Sequence, residues 1–552
     1  MTIPDSAESA GSTLAGLGDW ESYFTTRDGA LLDVAAVRRS LSWRVTAPLR
    51  SASDRARRIV RPGTSNEHTA LGRLEQRVRS VAPYLAPEAT DESFEALLSR
   101  CCWAAARGDR SLGWLLFVAV AGALPEVDHV LALVRALELS AAEERVATAL
   151  RICAPIAREH HSQLRNIEVR GGVVPVVDFS ARYGFNSGVQ RLTREVSKRW
   201  SAHPTVTFLA FNDDPTALRT LAEDERQRLV DWNSQRAAEK TEHRDDPWGT
   251  VVVPWNATVF LPEVPQYLQC APLAALARFS NNRVVAFGHD AIPVASASEL
   301  SLHEPLRFGS YLTVLRNADH IVANSATSAE EFRGFADALE AQGLMGPSVS
   351  HLLLPVERLA DVDEPRPSAA RPVVLSVGSH EPRKNQVALI YAAERLWHEG
   401  LDFELVLLGG RGPREHTAVH DAVAALRIKR RPVVIENNVT DEALAAAYHG
   451  ARVSVFISLD EGYGLPIAES LAAGTPVLTT GYGSMAEIAA GGGCVTVDPR
   501  DDEAVVDALR QLLSDDELIS RLRAEIRARR DDDWDSFSKR LLRQITSEEA
   551  EA

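Results

Sequence analysis

The sequence pattern of this chain changes near residue 173. From there on, short β-branched apolar runs alternate with amphipathic helical segments, which is typical of a parallel sheet connected by helices. A Pro- and Asp-rich stretch at 355–372 separates two sets of runs. The pattern predicts an α/β fold of two Rossmann-like domains facing a cleft. The predicted strands are residues 173–177, 205–211, 250–253, 283–287, 321–323, 349–354, 373–377, 403–408, 432–435, 453–457 and 477–480.

The first 165 residues follow a different, all-helical pattern with short polar breaks. Their longest apolar run, 115–124, is about half the length of a membrane span and predicts a buried helix. We expect a helical region at 1–165, Rossmann-like domains at 170–358 and 370–530, and a C-terminal helix at 531–552 that packs back toward the first Rossmann-like domain. The predicted helices of the first region are residues 66–84, 91–107, 111–123, 126–138 and 140–159.

Composition narrows the class of protein. The 76 acidic residues outnumber the 60 basic ones and give a net charge of −16, which argues against a general nucleic-acid binder. Five cysteines form no Cys-x-x-Cys pair, so we expect reduced thiols, no disulfide and no zinc. The N-terminal residues lack the basic and apolar regions of a secretory signal. We therefore expect a cytoplasmic protein without a bound metal.

Two carboxylates lie on either side of a glycine-rich turn that follows the predicted strand 453–457. Glu461 precedes Gly462 and Gly464, which let the backbone approach a ligand closely. Pro466 suits the first turn of a helix, so Glu469 is expected inside that first turn. Because amides at a helix start attract phosphate, the turn is expected to hold a phosphorylated sugar. The two glutamates can then reach different ends of one elongated ligand.

The spacing of Glu461 and Glu469 resembles the Glu-x7-Glu motif of family 4 of the retaining glycosyltransferases, which have the GT-B fold. Three further segments, 373–385, 483–487 and 497–499, are similar to the same family's donor-binding loop and closing pattern. The resemblance covers roughly residues 172–545. It implies an acceptor-side domain at 170–358, a donor-binding domain at 370–530 and no metal cofactor.

The resemblance also implies roles for individual residues. Arg383 and Lys384 are expected at the diphosphate, His289 at the donor sugar near the reacting carbon, and Glu461 at the sugar hydroxyls. Glu469 is expected to accept hydrogen bonds from two ribose hydroxyls, a task that suits a carboxylate with four lone-pair sites. The other expected donor-binding residues are Gly188, Ser325, Gly378, Val439, Gly462, Tyr463, Gly464 and Leu465.

Each motif also has a structural interpretation. Glu469 suits a helix start as a stabilising acid, His289 suits a structural contact, and Gly188 suits an ordinary loop. We favour the binding interpretation because the motifs occur together. One position departs from the family, since many relatives have an arginine where this chain has Ser379. The share of diphosphate binding carried by Arg383 therefore stays open.

Two segments outside these motifs carry charge patterns. Residues 38–61 contain eight arginines and one acid, Asp54, among apolar residues. This segment suits a peripheral contact with an anionic membrane or a solvated linker equally well, and both stay open. Asp361 and Asp363 match an Asp-x-Asp metal motif only superficially, because their Pro-rich context predicts a solvated linker.

We interpret the chain as a retaining glycosyltransferase that moves a hexose from a nucleoside-diphosphate sugar to a glycan or lipid-linked glycan. The run 381–385 favours GDP-mannose as the donor, and bacterial surface-polysaccharide assembly is the expected setting. The helical region is interpreted as a docking module for a partner, an acceptor or a membrane. Two alternatives stay open: a non-catalytic nucleotide-sugar-binding or scaffold subunit, and a hydrolase, phosphorylase or epimerase on the same fold.

Overall fold

The computed structural model describes residues 69–89, 92–184, 187–232, 249–297, 300, 303–355, 371–410, 417–437, 439–530 and 532–547. The basic segment 38–61 and the Asp361–Asp363 pair lie outside these residues, so the expectations for them stay predictions. Along the chain, the fold divides into two compact units. One takes residues up to 185, 201–284 and 313–318, and the other takes 186–200, 285–312 and 319 onward.

The first unit begins with a bundle of helices. Their bounds are α1 Ala70–Leu85, α2 Phe94–Ala105, α3 Arg110–Ala121, α4 Val127–Leu139 and α5 Arg145–Glu159. Helix α3 lies at the centre, because it contacts the other four and is buried from Trp114 to Ala121. This confirms the buried helix predicted from the apolar run. No helix in the described part of the chain is long and apolar enough to cross a membrane.

A buried arginine ties the bundle to the strand that follows it. The Arg77 guanidinium donates to the carbonyls of Ala119 and Val120 at the end of α3, and to those of Gln163 and Arg165 before the first strand. These bonds satisfy helix-end carbonyls that have no intrahelical donor. Burial and the nearby cations lower the pKa of Arg77 to about 9. The helical bundle is therefore joined to the first sheet by an interior network.

The first sheet has the strand order β1-β4-β5-β6-β7. Strands β1 and β4, β5 and β6, and β6 and β7 pair in parallel, and β2 and β3 form a separate antiparallel pair. The strand bounds are β1 Asn166–Pro175, β2 Leu209–Phe211, β3 Leu218–Thr220, β4 Thr250–Leu261, β5 Arg283–Gly288, β6 His320–Ala323 and β7 Ser348–His351.

The second sheet has the order β10-β9-β8-β11-β12-β13, and its neighbouring strands are all parallel. Its central strands are apolar and buried on both faces, as parallel strands between helix layers must be. The bounds are β8 Val373–Val377, β9 Glu404–Leu408, β10 Val433–Glu436, β11 Val453–Phe456, β12 Val477–Thr480 and β13 Cys494–Val497.

Helices connect the strands of both sheets. Their bounds are α6 Asp178–Arg182, α7 Gly188–Trp200, α8 Glu223–Val230, α9 Tyr267–Phe279, α10 Ile292–Ala295, α11 His303–Leu315, α12 Ala326–Glu340, α13 Gln386–His398, α14 Ala418–Ile428, α15 Asp441–Gly450, α16 Leu465–Ala472, α17 Gly483–Ala489, α18 Asp502–Ser514, α19 Asp516–Ala528 and α20 Trp534–Thr546. The last helix contacts both α7 and β6, and Trp200 donates its indole N–H to the Ser538 carbonyl.

A buried glutamate that follows β4 holds the start of α6 in the first unit. Glu263, just after β4, accepts the backbone N–H groups of Phe179 and Ser180 and the hydroxyl of Ser180 at the start of α6. Burial is the largest influence on this carboxyl and raises its pKa to about 7, despite the hydrogen bonds that it accepts. Glu263 therefore caps α6 as a group that titrates near neutrality.

The architecture confirms the expected fold class, an all-helical first region followed by two parallel α/β sheets of the Rossmann-like type. Several strand ends differ from prediction. Strand β4 continues to Leu261 rather than 253, and the predicted strand 205–211 shortens to Leu209–Phe211. Strands β3 and β13 were not predicted. The predicted domain boundaries stay predictions.

Candidate functional site

A strand, a glycine turn and a helix place the two glutamates of the motif. Strand β11 is buried, and the turn that follows it ends at Gly464, whose φ of 110° is costly for residues with a side chain. Helix α16 begins only after this glycine, at Leu465, so Glu469 lies in its second turn. The expectation that Glu469 lies in the first turn was therefore wrong by one residue, because Glu469 is the fifth residue of the helix.

Glu461 lies at the centre of a charge cluster. Its Oε1 atom is 2.5 Å from the Lys384 ammonium, 2.8 Å from the Arg383 guanidinium and 2.7 Å from the Ser458 hydroxyl. Burial alone would raise the pKa of Glu461, but the charges of Lys384 and Arg383 and the hydrogen bonds outweigh it and lower the pKa. The carboxylate is therefore ionised at neutral pH and holds two cations.

The loop after β8 brings these cations to the turn. A single 3-10 turn, Pro382–Lys384, carries them, and the Arg383 carbonyl accepts bonds from the Leu459 amide and the Ser458 hydroxyl. Arg383 also donates to the Asp460 carbonyl. The loops after β8 and β11 are thus bonded to each other in both directions, which fixes the spacing of Lys384 and Glu461.

The strand end at His289 meets the same turn. A Cβ atom added to Gly462 would lie 2.2 Å from the His289 carbonyl oxygen, so only glycine fits there without a backbone shift. The Gly462 carbonyl accepts the hydroxyls of Ser325 at 2.7 Å and Ser328 at 3.1 Å. His289 is partly buried, and its ring centroid is 5.1 Å from that of Phe287. The structure therefore brings His289, Ser325 and Gly462 together.

Helix α12, which carries these serines, is held at its start by Glu487. The Glu487 carboxylate accepts the backbone N–H groups of Ala326 at 2.8 Å and Thr327 at 2.7 Å. A carboxylate at this end of a helix is stabilised by the unpaired amides and the helix dipole. Glu487 thus fixes the helix whose serines hold the Gly462 carbonyl.

Three carboxyl groups lie near the segment that follows β5. Burial is the main cause that raises the pKa of Asp290 to about 6 and that of Glu331 to about 7. Glu331 accepts the Ala291 amide at 3.0 Å, and Ser296 donates to the Asp460 carboxylate at 2.9 Å. Each of these carboxyls accepts a bond from its own loop or from a nearby one, which fits a role in organising the strand end.

Glu469 lies in a second cluster. Its Oε2 atom is 3.0 Å from the Tyr448 hydroxyl on α15, and its Oε1 atom accepts from the Arg191 guanidinium on α7. Burial raises the pKa of Glu469, although Arg191 and the Tyr448 bond oppose that shift. A Cβ atom added to Gly188 would lie 2.7 Å from Leu465 Cδ1, so the starts of α7 and α16 are closely packed.

The remaining predicted residues lie around these clusters. Gly378 has a φ of 148° and follows β8, next to Lys384. Tyr463 is buried and donates its hydroxyl to the Leu354 carbonyl, so its side chain points into the protein. Val439 packs against the core cluster that contains Tyr448.

Several residues of the site were missed by sequence reasoning. Ser458, Ser328, Tyr448 and Arg191 received no role, and their contacts join distant parts of the chain. Gly409 was also missed, although a Cβ atom there would lie 1.9 Å from the Gly378 carbonyl oxygen. Its position directly after the predicted strand 403–408 was the available signal. Among the described residues, no group of three or more His, Cys, Asp or Glu side chains is arranged to hold a metal.

Residues 360–529 match a family model described as "Glycosyl transferases group 1". The serotype-specific mannosyltransferase WbdA of Escherichia coli is 28% identical over 217 residues, which are 36% of this chain and 26% of that protein. The O-antigen chain mannosyltransferase B of Escherichia coli is 34% identical over 147 residues, 26% of this chain and 37% of that protein. The chain thus spans between 26% and 37% of the length of these two relatives.

Two solved structures are also similar. The sucrose-phosphate synthase of Thermosynechococcus elongatus aligns with a TM-score of 0.48 and 17% identity, covering 68% of this chain and 99% of that one. The HepE protein of Anabaena, solved in complex with UDP and glucose, aligns with a TM-score of 0.47 and 14% identity, covering 68% of this chain and 100% of that one.

Proposed function

We propose that this chain, whose residues 360–529 match the glycosyl transferases group 1 family model, transfers a hexose from a nucleoside-diphosphate sugar to a glycan hydroxyl. The observation that carries the proposal is the joint contact of Lys384 and Arg383 with Glu461 at the turn before α16. Two fixed cations and a helix start suit a diphosphate, and an ionised carboxylate suits sugar hydroxyls.

The reaction needs charge stabilisation at the leaving group. When the bond between the sugar and the diphosphate breaks, negative charge grows on the diphosphate, and cations that are already in place lower the barrier. Lys384 is held by Glu461 in the structure, so its charge is positioned before a donor arrives. A donor phosphate would take over as the partner of Lys384, and Glu461 would then accept a sugar hydroxyl. His289 would face the reacting carbon from the end of β5.

The donor sugar, the acceptor and the stereochemistry can also be proposed. The names of the two Escherichia coli relatives include mannosyltransferase, and the run 381–385 also favours GDP-mannose. We propose a lipid-linked or free glycan of a bacterial surface polysaccharide as the acceptor. We also propose retention of the anomeric configuration, with the leaving diphosphate assisting deprotonation of the acceptor on the same face.

We propose further that the transfer needs no metal ion. Arg383, Lys384 and the amides at the start of α16 can supply the positive charge that a divalent ion otherwise provides. Turnover should therefore persist in excess EDTA. Abolition by the chelator, with recovery on adding magnesium or manganese, would show that a metal stabilises the leaving group.

A donor screen tests the proposed function. The purified chain is incubated with GDP-mannose, GDP-glucose, UDP-glucose, UDP-galactose and dTDP-glucose, with and without a polysaccharide extract as acceptor, and release of the nucleoside diphosphate is measured. We expect release from one donor, accelerated by the acceptor. Release of the nucleoside diphosphate at the same rate with and without acceptor would indicate a hydrolase. Binding of a donor without any release would indicate a non-catalytic subunit.

A further inference from the structure

The described part of the chain uses only two of the hydrogen-bond acceptor sites of the Glu469 carboxylate. An ionised carboxylate offers about four lone-pair sites on its two oxygens. In the described part of the chain, Arg191 donates to Oε1 and the Tyr448 hydroxyl donates to Oε2 at 3.0 Å. Each oxygen therefore keeps one acceptor site. Two acceptor sites on one rigid plane match two hydroxyls on neighbouring carbons.

We propose that Arg191 and Tyr448 are positioning residues that hold Glu469 to read the vicinal diol of a ribose, so that the site selects ribonucleotides over deoxyribonucleotides. This inference rests on the proposed function, in which Glu469 meets the ribose. The Glu469 carboxylate can bind both hydroxyls of the diol only because Arg191 and Tyr448, from two other helices, hold the plane of the carboxylate in place.

The packing of α7 against α16 supports a fixed position of Arg191 beside Glu469. Gly188 and Arg191 are three residues apart on this helix and so lie on the same face. Gly188 packs against Leu465, where an added Cβ atom would lie 2.7 Å from a Leu465 methyl carbon. The start of α7 is therefore set against the start of α16, and Arg191 is directed at the residue one turn further along, Glu469.

Arg191 also favours the ionised form of Glu469. Burial raises the pKa of Glu469, and Asp441 at the start of α15 acts in the same direction. The charge of Arg191 and the bond from Tyr448 oppose this and favour the ionised form. Only the ionised carboxylate offers acceptors on both oxygens. Loss of Arg191 should therefore move the loss of ribose binding to a higher pH.

The test compares a nucleotide with its deoxy form. Isothermal titration calorimetry measures the affinities of GDP, UDP and their 2′-deoxy counterparts for the full chain and for Arg191→Gln and Tyr448→Phe. We expect the wild type to prefer the ribonucleotide by about tenfold or more, the effect of one hydrogen bond to a charged group. Both variants should lower this ratio several-fold, and Arg191→Lys should restore the pH profile.

Arg395→Gln is the matched control, because Arg395 is similarly exposed and pairs with Glu503 on the outside of the second sheet. It should keep the wild-type ratio. A wild type that does not discriminate ribose from deoxyribose would overturn the ribose role of Glu469 and with it this part of the proposed function. A discriminating wild type whose ratio is unchanged in both variants would overturn the present inference alone.

Discussion

The Lys384 ammonium lies 2.5 Å from Glu461 Oε1, and the two residues come from loops that follow neighbouring strands, β8 and β11. Both side chains are largely buried, so neither charge is well solvated on its own. Burying one without the other would leave an uncompensated charge, which is costly. The pair therefore keeps a cation and an anion in fixed positions at a site where a charged ligand is expected.

Replacing Lys384 should remove most of the stabilisation of the leaving group. Lys384→Ala is expected to lose roughly 2–4 kcal/mol of transition-state stabilisation, the usual effect of deleting one charge-stabilising donor. Steady-state kinetics on the donor found in the screen measure this loss. Lys429→Ala is the control, because Lys429 also pairs with a glutamate but is exposed. Wild-type turnover in Lys384→Ala would reject the role.

Replacing Glu461 should separate diphosphate binding from sugar binding. Glu461→Gln leaves Lys384 and Arg383 without their carboxylate, so the nucleoside diphosphate alone should bind at least as tightly as to the wild type. The intact donor should bind more weakly, because the amide is a poorer acceptor for sugar hydroxyls. Calorimetry with both ligands decides the matter. Equal losses for the two ligands would contradict the assignment of Glu461 to the sugar.

A methyl group at Gly462 should disturb the contact with His289. In Gly462→Ala the new Cβ would lie 2.2 Å from the His289 carbonyl oxygen, so one of the two loops must move. We expect kcat to fall by about 100-fold, the order of effect expected when reacting groups are misplaced by 1 Å, with a folded protein by circular dichroism. Gly450→Ala, where an added Cβ meets nothing within 4 Å, should keep wild-type kcat. Similar kcat in both variants would argue against a need for this contact.

The Glu263 carboxyl should make stability depend on pH. Its pKa is raised to about 7 in the fold, against an ordinary value of 4.5, so the folded state holds its proton more tightly. Its contribution is therefore complete below pH about 4.5 and is lost as pH rises to about 7, by about 3 kcal/mol. Urea unfolding across this range should show the wild type losing about 3 kcal/mol of stability relative to Glu263→Gln as pH rises, because the variant has no proton to release at this position. A constant difference would contradict the raised pKa.

The sequence predicted strands best where a short β-branched run has sharp ends. Strands Val373–Val377 and Val477–Thr480 were predicted to the residue. The prediction ended strand β4 too early because Pro254 and Asn256 interrupt its apolar pattern. In the structure, pairing with β1 extends the strand to Leu261. The run Gly491–Gly493 obscured the start of β13. In both cases neighbouring strands decided the extent, which local propensity cannot report.

The site was predictable where its residues belong to one local motif. The turn with Glu461 and Gly462, and the pair Arg383 and Lys384, follow directly from strand ends. The contact of Arg191 with Glu469 joins residues 278 positions apart, and no local pattern indicates it. Ser328 was missed for the same reason, since its role depends on the Gly462 carbonyl, 134 positions further along the chain.

Glycosyl transfer by this chain can be tested by following the sugar itself. The chain is incubated with a donor labelled with carbon-13 in the hexose, together with the acceptor, and the products are analysed by mass spectrometry and NMR. We predict that the label appears in the glycan with the anomeric configuration of the donor, and that Lys384→Ala strongly slows this transfer while Lys429→Ala does not. Label found only in free sugar, or none released from any donor, would contradict the account of this chain as a glycosyltransferase.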